Sequence, residues 1–360
     1  MSKQPYSFAE RCLHWLALES ASVRRLSFDL ERSFALPKRD LASDSADHAV
    51  YVCGLARSGT TLLLHLLDQV DDFQSLNYRD MPFPLAPNLW RRISSLAQKK
   101  AVAAPRIHGD GMLVDFDSPE GFEEVFWRTF TRYDRQGTTV SAAAPCKETM
   151  AAFTDYRALV ANPRGRGDKV APRRYLSKNN NNLLRLQLLC NEAAASLVLV
   201  YRHPAAAARS MHRTHVAFAH EQAKSAYMRR YMGWLAHHEF GLDHRPFAFA
   251  ADAMDASLQP HQLDYWLDYW CAVHEHIQQA QGPALRLLDY DALCRSPAQT
   301  LDSLFKLLTI KTDVEAFASR VLPQRPAAEQ DFDRTLLRRA ERIHRALRER
   351  TENVDRVAGA

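Results

Sequence analysis

Residues Gly54-Leu55-Ala56-Arg57-Ser58-Gly59-Thr60-Thr61 have the types and spacing of a loop built to hold an anion. They follow the apolar run Tyr51-Val52-Cys53 and open the apolar stretch at 62–67. A strand, a glycine-bearing turn and a helix N-terminus in that order aim backbone N–H groups and the positive end of a helix dipole at one point. Gly54 and Gly59 keep the P-loop spacing G-x-x-x-x-G-K-[ST], but Thr60 stands where the lysine would be, and the cation of the loop is Arg57. That set suits a phosphate-type group other than a metal-bound triphosphate. A second set is Val200-Tyr201-Arg202-His203-Pro204, an apolar run ending in an arginine, with Ser210 eight residues after Arg202.

The elements that must position these residues are legible in outline. Residues 49–53 and 196–201 are short apolar runs, 174–178 and 285–288 read as further short strands, and helical patterns alternate with them (59–69, 183–191, 204–211, 263–280, 297–308). Continuous apolar strands alternating with helices predict an α/β fold of three layers, α/β/α, with a central mostly parallel sheet. Ligands of such sheets lie at the C-terminal ends of the strands. The loop at 54–61, Lys178, Arg202 and Tyr290 all fall at such ends. The segment at 6–34 is helical, with Phe8, Cys12, Trp15, Leu16 and Leu26 at near-helical spacing. A further helix is expected at 119–131, with Glu120, Glu123 and Glu124 as helix-start charge. The expected division is an N-terminal helical segment at 1–47, an α/β domain at 48–327 with acceptor-side segments at 70–118 and 212–262, and a charged C-terminal helix at 328–360.

Composition bounds the function class. The chain has 360 residues, 46% hydrophobic and 25% charged, which is globular rather than disordered. A net charge of +5 suits an anionic ligand, but 47 basic against 42 acidic residues is too even for a nucleic-acid binder. Six cysteines without a C-x-x-C pair argue against a disulfide framework or a zinc site and for a reducing compartment. The first ten residues lack an apolar core segment, and no run of about 18 apolar residues occurs, so no transmembrane segment and a cytoplasmic location are expected.

With both motifs in view, the sequence resembles the PAPS-dependent sulfotransferases, whose donor is 3′-phosphoadenosine 5′-phosphosulfate. Arg57-Ser58-Gly59-Thr60-Thr61 is similar to that family's 5′-phosphosulfate loop. Arginine at position 57 resembles the tyrosylprotein and many bacterial members, where cytosolic members carry lysine. Val200-Tyr201-Arg202-His203-Pro204 with Ser210 resembles the 3′-phosphate motif, and Lys178 the lysine that approaches the transferring sulfuryl group. Leu288-Asp289-Tyr290-Asp291-Ala292-Leu293 resembles the segment near the adenine. The resemblance spans about residues 49–310. It implies a P-loop-like fold and metal-independent, in-line transfer of a sulfuryl group from PAPS to a hydroxyl or amine, with release of 3′,5′-ADP. It implies a cofactor site of Arg57, Ser58, Gly59, Thr60, Thr61, Leu62, Arg202, Ser210 and Tyr290, with Arg57 and Lys178 acting on the transferring group. No metal is implied.

The sequence departs from the cytosolic pattern after Lys178, where Asn179-Asn180 replaces the segment that carries the histidine base. Asp80, 23 residues after Arg57, is the candidate base, with His108 as runner-up. The aromatic set Trp266, Tyr269 and Trp270 reads as core. The acceptor is read as a small molecule, lipid or glycan, and the tail helix either mediates a homo-oligomer or is solvated. Two other classes stay open. A small-molecule kinase would need the P-loop lysine, which Thr60 opposes, and a metal carboxylate, for which Asp289 is the available strand-end acid. A non-catalytic nucleotide-binding protein would need neither.

Overall fold

The computed structural model describes residues 7–35, 48–94, 104–105, 113–114, 119–132, 137–161, 173–324 and 331–358. Its core is a sheet of five strands, β1 (Ala49–Cys53), β2 (Phe73–Gln74), β5 (Arg174–Lys178), β6 (Ala195–Tyr201) and β7 (Leu285–Asp289), in the order β2-β5-β1-β6-β7. Every pairing in it is parallel. Two more strands, β3 (Ala104–Pro105) and β4 (Leu113–Val114), form a separate antiparallel pair.

β1 is buried along its whole length, and its side chains alternate between two cores. Val50 and Val52 meet Leu63, Leu64, Leu301 and Phe305, from the helices Thr60–Leu67 and Pro297–Leu307. Ala49, Tyr51 and Cys53 meet the other core, which holds Trp127, Phe153, Tyr156, Trp266 and Trp270. Helices therefore cover both faces, which gives the expected α/β/α layers and accounts for the apolar character of β1 and β6. After β1 the chain turns to the β5–β2 side, and after β6 to the β7 side. The crevice between the C-terminal ends of β1 and β6 is thus the switch point of the sheet.

Several local expectations change. The segment at 6–34 is two helices, Phe8–Leu18 and Ala21–Ala35, the first opened by a capping box of Ser7 and Glu10. Its apolar stripe points outward: Phe8 is 77% exposed and Leu26 58%. The inward face carries Leu18 and Phe28 beside buried Arg24 and Glu31. Arg24 Nε donates to Thr129 Oγ1 at 2.8 Å, and Glu31 accepts from the amides of Asn88 and Leu89. Periodicity identified a helix; which face is inside depends on partners that bring polar groups.

The helix expected at 119–131 spans only Glu124–Phe130, and its acidic residues are not surface charge. Glu123 and Glu124 are each 1% exposed and fully bonded, as described below. The helix after β6 is far longer than expected, Pro204–Lys224, and the helix Lys147–Ala161 had no forecast. The C-terminal helix Arg334–Ala358 is docked rather than solvated: Ala340, Ile343 and Leu347 are buried, and Arg339 bonds Asp268 and Glu275 of the helix Leu263–Gln279. Trp266, Tyr269 and Trp270 are core, as expected. Among the described residues, no helix is long and apolar enough to cross a membrane.

Candidate active site

The loop between β1 and the helix Thr60–Leu67 fits only with glycine at its two ends. A Cβ at Gly54 would come within 2.3 Å of the Val200 carbonyl oxygen of β6. Gly59 has φ +97°, and a Cβ there would sit 2.2 Å from the Tyr290 ring. Arg57 takes the left-handed conformation too, with φ 72°, at a strain of about 1–2 kcal/mol for a residue with a side chain. Ser58 is buried and turns inward, its hydroxyl donating to Leu55 O at 2.6 Å. The first bond of the helix runs from Leu63 N–H to Gly59 O. The amides of Thr60, Thr61 and Leu62 therefore have no intrahelical carbonyl and point out of the N-terminus.

The loop and the end of β6 meet. Arg57 Nε donates to Ser210 Oγ at 3.0 Å, from loop to helix. Arg202 Nη1 donates to Arg57 O at 3.2 Å and Nη2 to Gln324 Oε1 at 3.1 Å, while its Nε is buried with no hydrogen-bond partner among the described residues. The Arg202 guanidinium lies 5.3 Å from the centre of the Tyr290 ring, and the same ring covers Gly59. Arg57, Ser210, Arg202, Tyr290 and the free amides thus form one basic wall over the β1–β6 crevice.

β5 completes it from the other side. Lys178 pairs in register with Val52 of β1, and Asn179 N–H donates to Val52 O at 3.0 Å. Thr60, where a P-loop has lysine, donates its hydroxyl to Asn180 Oδ1 at 3.2 Å. That side chain ties the anion loop to the strand end carrying Lys178.

Beneath Lys178 lies a buried polar network that the sequence reading missed. Glu123 accepts from the Tyr175 hydroxyl at 2.9 Å, Trp127 Nε1 at 2.9 Å and Asn182 Nδ2 at 3.0 Å. Glu124 accepts from Asn179 Nδ2 at 2.7 Å and forms a two-pronged ion pair with Arg185, both side chains 2% exposed. The run of four asparagines at 179–182, directly after Lys178, was the available signal. Four adjacent amides in a buried stretch need partners, and the carboxylates at 123 and 124 supply them for Asn179 and Asn182.

Asp80 is taken up by an internal ion pair. It is 0% exposed, and its two oxygens accept from Arg91 Nε at 2.6 Å and Nη2 at 2.8 Å, with Asn77 N–H as a third donor. Burial pushes its carboxyl up from the ordinary value against the pull of Arg91. His108 lies outside the described residues. Asp289 caps the helix Tyr290–Arg295 through the amides of Asp291 and Ala292. Ligand atoms of Asp289, Asp291 and His344 lie within 4.8 Å of one another. The protein's own groups already serve two of them: Asp291 accepts from His203 N–H at 2.6 Å, and Arg348 Nε is 3.6 Å from Asp289.

Residues 49–246, more than half of the chain, match the model of the sulfotransferase family. The chain belongs to the sulfotransferase family. No curated protein sequence matches this sulfotransferase. Among solved structures it is similar to the sulfotransferase STF1 of Mycobacterium tuberculosis H37Rv, with 14% identity, TM-score 0.50, 95% of this chain covered and 88% of that one. It is also similar to STF9 of Mycobacterium avium, with 15% identity, TM-score 0.45 and coverages of 98% and 87%. A sulfotransferase domain from the curacin biosynthetic pathway aligns with 13% identity, TM-score 0.34 and coverages of 83% and 97%. The STF1 likeness extends the α/β architecture of the sulfotransferase across nearly the whole chain.

Proposed function

We propose that this sulfotransferase takes its sulfuryl group from PAPS, passes it to a hydroxyl or amine of a small molecule, lipid or glycan, and releases 3′,5′-ADP. The observation that supports this most is the bond between Arg57 Nε and Ser210 Oγ. It joins two anion-directed motifs into one wall at the switch point, as a ligand with two separated anionic groups requires. The unpartnered Arg202 Nε and the free first-turn amides are donors waiting for acceptors, and oxyanions supply them.

In this reading the amides of residues 59–62, with Ser58 shaping the turn, hold the 5′-phosphosulfate, and Arg202 with Ser210 holds the 3′-phosphate. Tyr290, against Gly59 and Arg202, borders the nucleotide. Arg57 and Lys178 face the group in transit and stabilise negative charge as it moves onto the leaving phosphate. The buried Glu123–Glu124 network fixes the strand end from which Lys178 projects, so that donor and acceptor are held in line. Asp80 would meet an acceptor only after its ion pair with Arg91 opened. No step uses a metal.

Saturating 3′,5′-ADP should raise the melting temperature. Arg202→Ala should weaken its binding by about 1.5–3 kcal/mol, the worth of hydrogen bonds to a charged group, or about 10–150-fold in Kd. A wild-type protein that ignores 3′,5′-ADP would defeat the proposal. Stabilisation by MgATP instead would favour a kinase. Binding of 3′,5′-ADP with no ³⁵S transfer from labelled PAPS to a broad acceptor panel would favour a non-catalytic protein.

A further inference from the structure

The partners of Arg202 are unlike those of the other inward-facing arginines. Arg185 pairs with Glu124, Arg157 with Glu192 and Arg339 with Asp268, so each of those charges is balanced inside the protein. Arg202 forms no ion pair among the described residues, and its two hydrogen-bond partners are neutral carbonyl oxygens. Nη1 donates to Arg57 O at 3.2 Å and Nη2 to Gln324 Oε1 at 3.1 Å. A carbonyl fixes a guanidinium without neutralising it. The positive charge is therefore kept for a ligand, and two bonds hold the plane that presents it.

Gln324 is 122 positions from Arg202, and none of the sequence motifs includes it. It lies in the segment after the helix Val314–Ala318. Val321 anchors that segment: it is 6% exposed, in the core that holds Phe305 and Phe317, and its N–H donates to Ala318 O at 3.1 Å. Pro323 fixes its own φ and keeps Leu322 extended, so the chain between the anchor and Gln324 has little freedom. The Gln324 side chain also adjoins Tyr290. Burial and then Cys294 raise the Tyr290 hydroxyl, and a hydrogen bond with Gln324 opposes them. The same ring lies 5.3 Å from the Arg202 guanidinium and covers Gly59.

Building on the proposal above that Arg202 holds the 3′-phosphate of PAPS, we infer that Gln324 is a positioning residue for that arginine and so sets the preference for a nucleotide that carries a 3′-phosphate. Gln324 Oε1 holds Nη2 and Arg57 O holds Nη1. The Nε–H, which lacks a partner among the described residues, is left for a phosphate oxygen. A guanidinium already held in its plane loses less freedom when the anion binds, which raises affinity without a new contact. The neutrality of the amide is essential. A carboxylate at position 324 would hold Arg202 more firmly, but it would balance the charge of the arginine and stand beside the incoming phosphate. A side chain that only supported the fold would show no such penalty.

The test uses the full chain and two nucleotides, 3′,5′-ADP and 5′-AMP, which lacks the 3′-phosphate, with affinities from isothermal titration calorimetry. Gln324→Leu should weaken 3′,5′-ADP binding by about 3–10-fold and leave 5′-AMP within about twofold of wild type. Gln324→Glu should weaken 3′,5′-ADP binding by about 30-fold or more, with 5′-AMP again little changed. In an Arg202→Ala background, Gln324→Leu should add no further loss, because the arginine it acts through is gone. Four results would each overturn the assignment: Gln324→Leu within about twofold of wild type for 3′,5′-ADP, an equal loss for both nucleotides, Gln324→Glu binding as tightly as Gln324→Leu, or a further loss in Arg202→Ala. So would a ligand-free melting temperature lowered by more than about 4 °C in Gln324→Leu, the mark of a side chain that supports the fold. No affinity of the wild type for 3′,5′-ADP would instead sink the PAPS reading on which the assignment rests.

Discussion

Gly59→Ala probes the contact on which the proposed nucleotide side of the site turns. Gly59 has φ +97°, where an alanine is strained by about 1–2 kcal/mol relative to its usual conformations. Its new Cβ would also fall 2.2 and 2.3 Å from Cδ2 and Cε2 of Tyr290, inside any tolerable contact. Displacing a ring from such a fit costs about 1–3 kcal/mol, so the single substitution should destabilise by about 2–5 kcal/mol in all. In a Tyr290→Ala background the ring is gone and only the backbone strain is left. The two changes should therefore couple by about 1–3 kcal/mol in a double-mutant cycle. Urea unfolding of the wild type, both single variants and the double variant, followed by tryptophan fluorescence, measures it. Because Tyr290 also lies 5.3 Å from Arg202, Gly59→Ala should weaken 3′,5′-ADP binding as well. Additivity within about 0.5 kcal/mol would refute the reasoning, since it would mean that ring and glycine do not touch.

Two further outcomes follow from buried charge. Arg185→Leu leaves the Glu124 carboxyl without its ion-pair partner in a site where both side chains are 2% exposed, and should destabilise by about 3–5 kcal/mol. Adding Glu124→Leu should recover part of that loss, and no recovery in urea unfolding would argue against the pair. The second concerns acid. Burial lowers His244 to about 4 and His274 to about 3, from an ordinary 6.5. The unfolded chain takes up these protons below pH 6.5 while the folded chain refuses them, so stability is full above that pH and declines through the window down to about 3–4. The decline should be about 1.4 kcal/mol per pH unit for each histidine. His274→Leu should reduce the slope by one such increment, measured by urea unfolding at pH 7.5, 6.0 and 5.0, and an unchanged slope would contradict the burial argument.

Much of the fold was readable because its signals are local. β1, β5, β6 and β7 were each placed to within about one or two residues, β1 and β6 because a strand buried on both faces is apolar along most of its length. The helix N-terminus at Thr60 followed from the glycine-bearing turn before it. The N-terminal helices show the limit. Their apolar stripe was visible, yet Phe8, Trp15, Leu16 and Leu26 lie outside, while Arg24 and Glu31 are inside with partners from elsewhere in the chain. The acids at 123 and 124 show it again. At a helix start they look like surface charge, and only the neighbouring strand end, with its run of asparagines and Arg185, turns them into a buried support.

By itself, then, the sequence determined the kinds of element, their order and the two motifs that match an anion-binding chemistry, because each depends on residues a few positions apart. Only the tertiary structure decided which residues meet. Arg57 and Ser210 are 153 positions apart, and Thr60 and Asn180 are 120 apart. They come together because β1 lies between β5 and β6, an order that no local pattern encodes. The same packing shut Asp80 against Arg91. Exposure and pairing belong to the assembled sheet and its loops, whereas element type belongs to the chain.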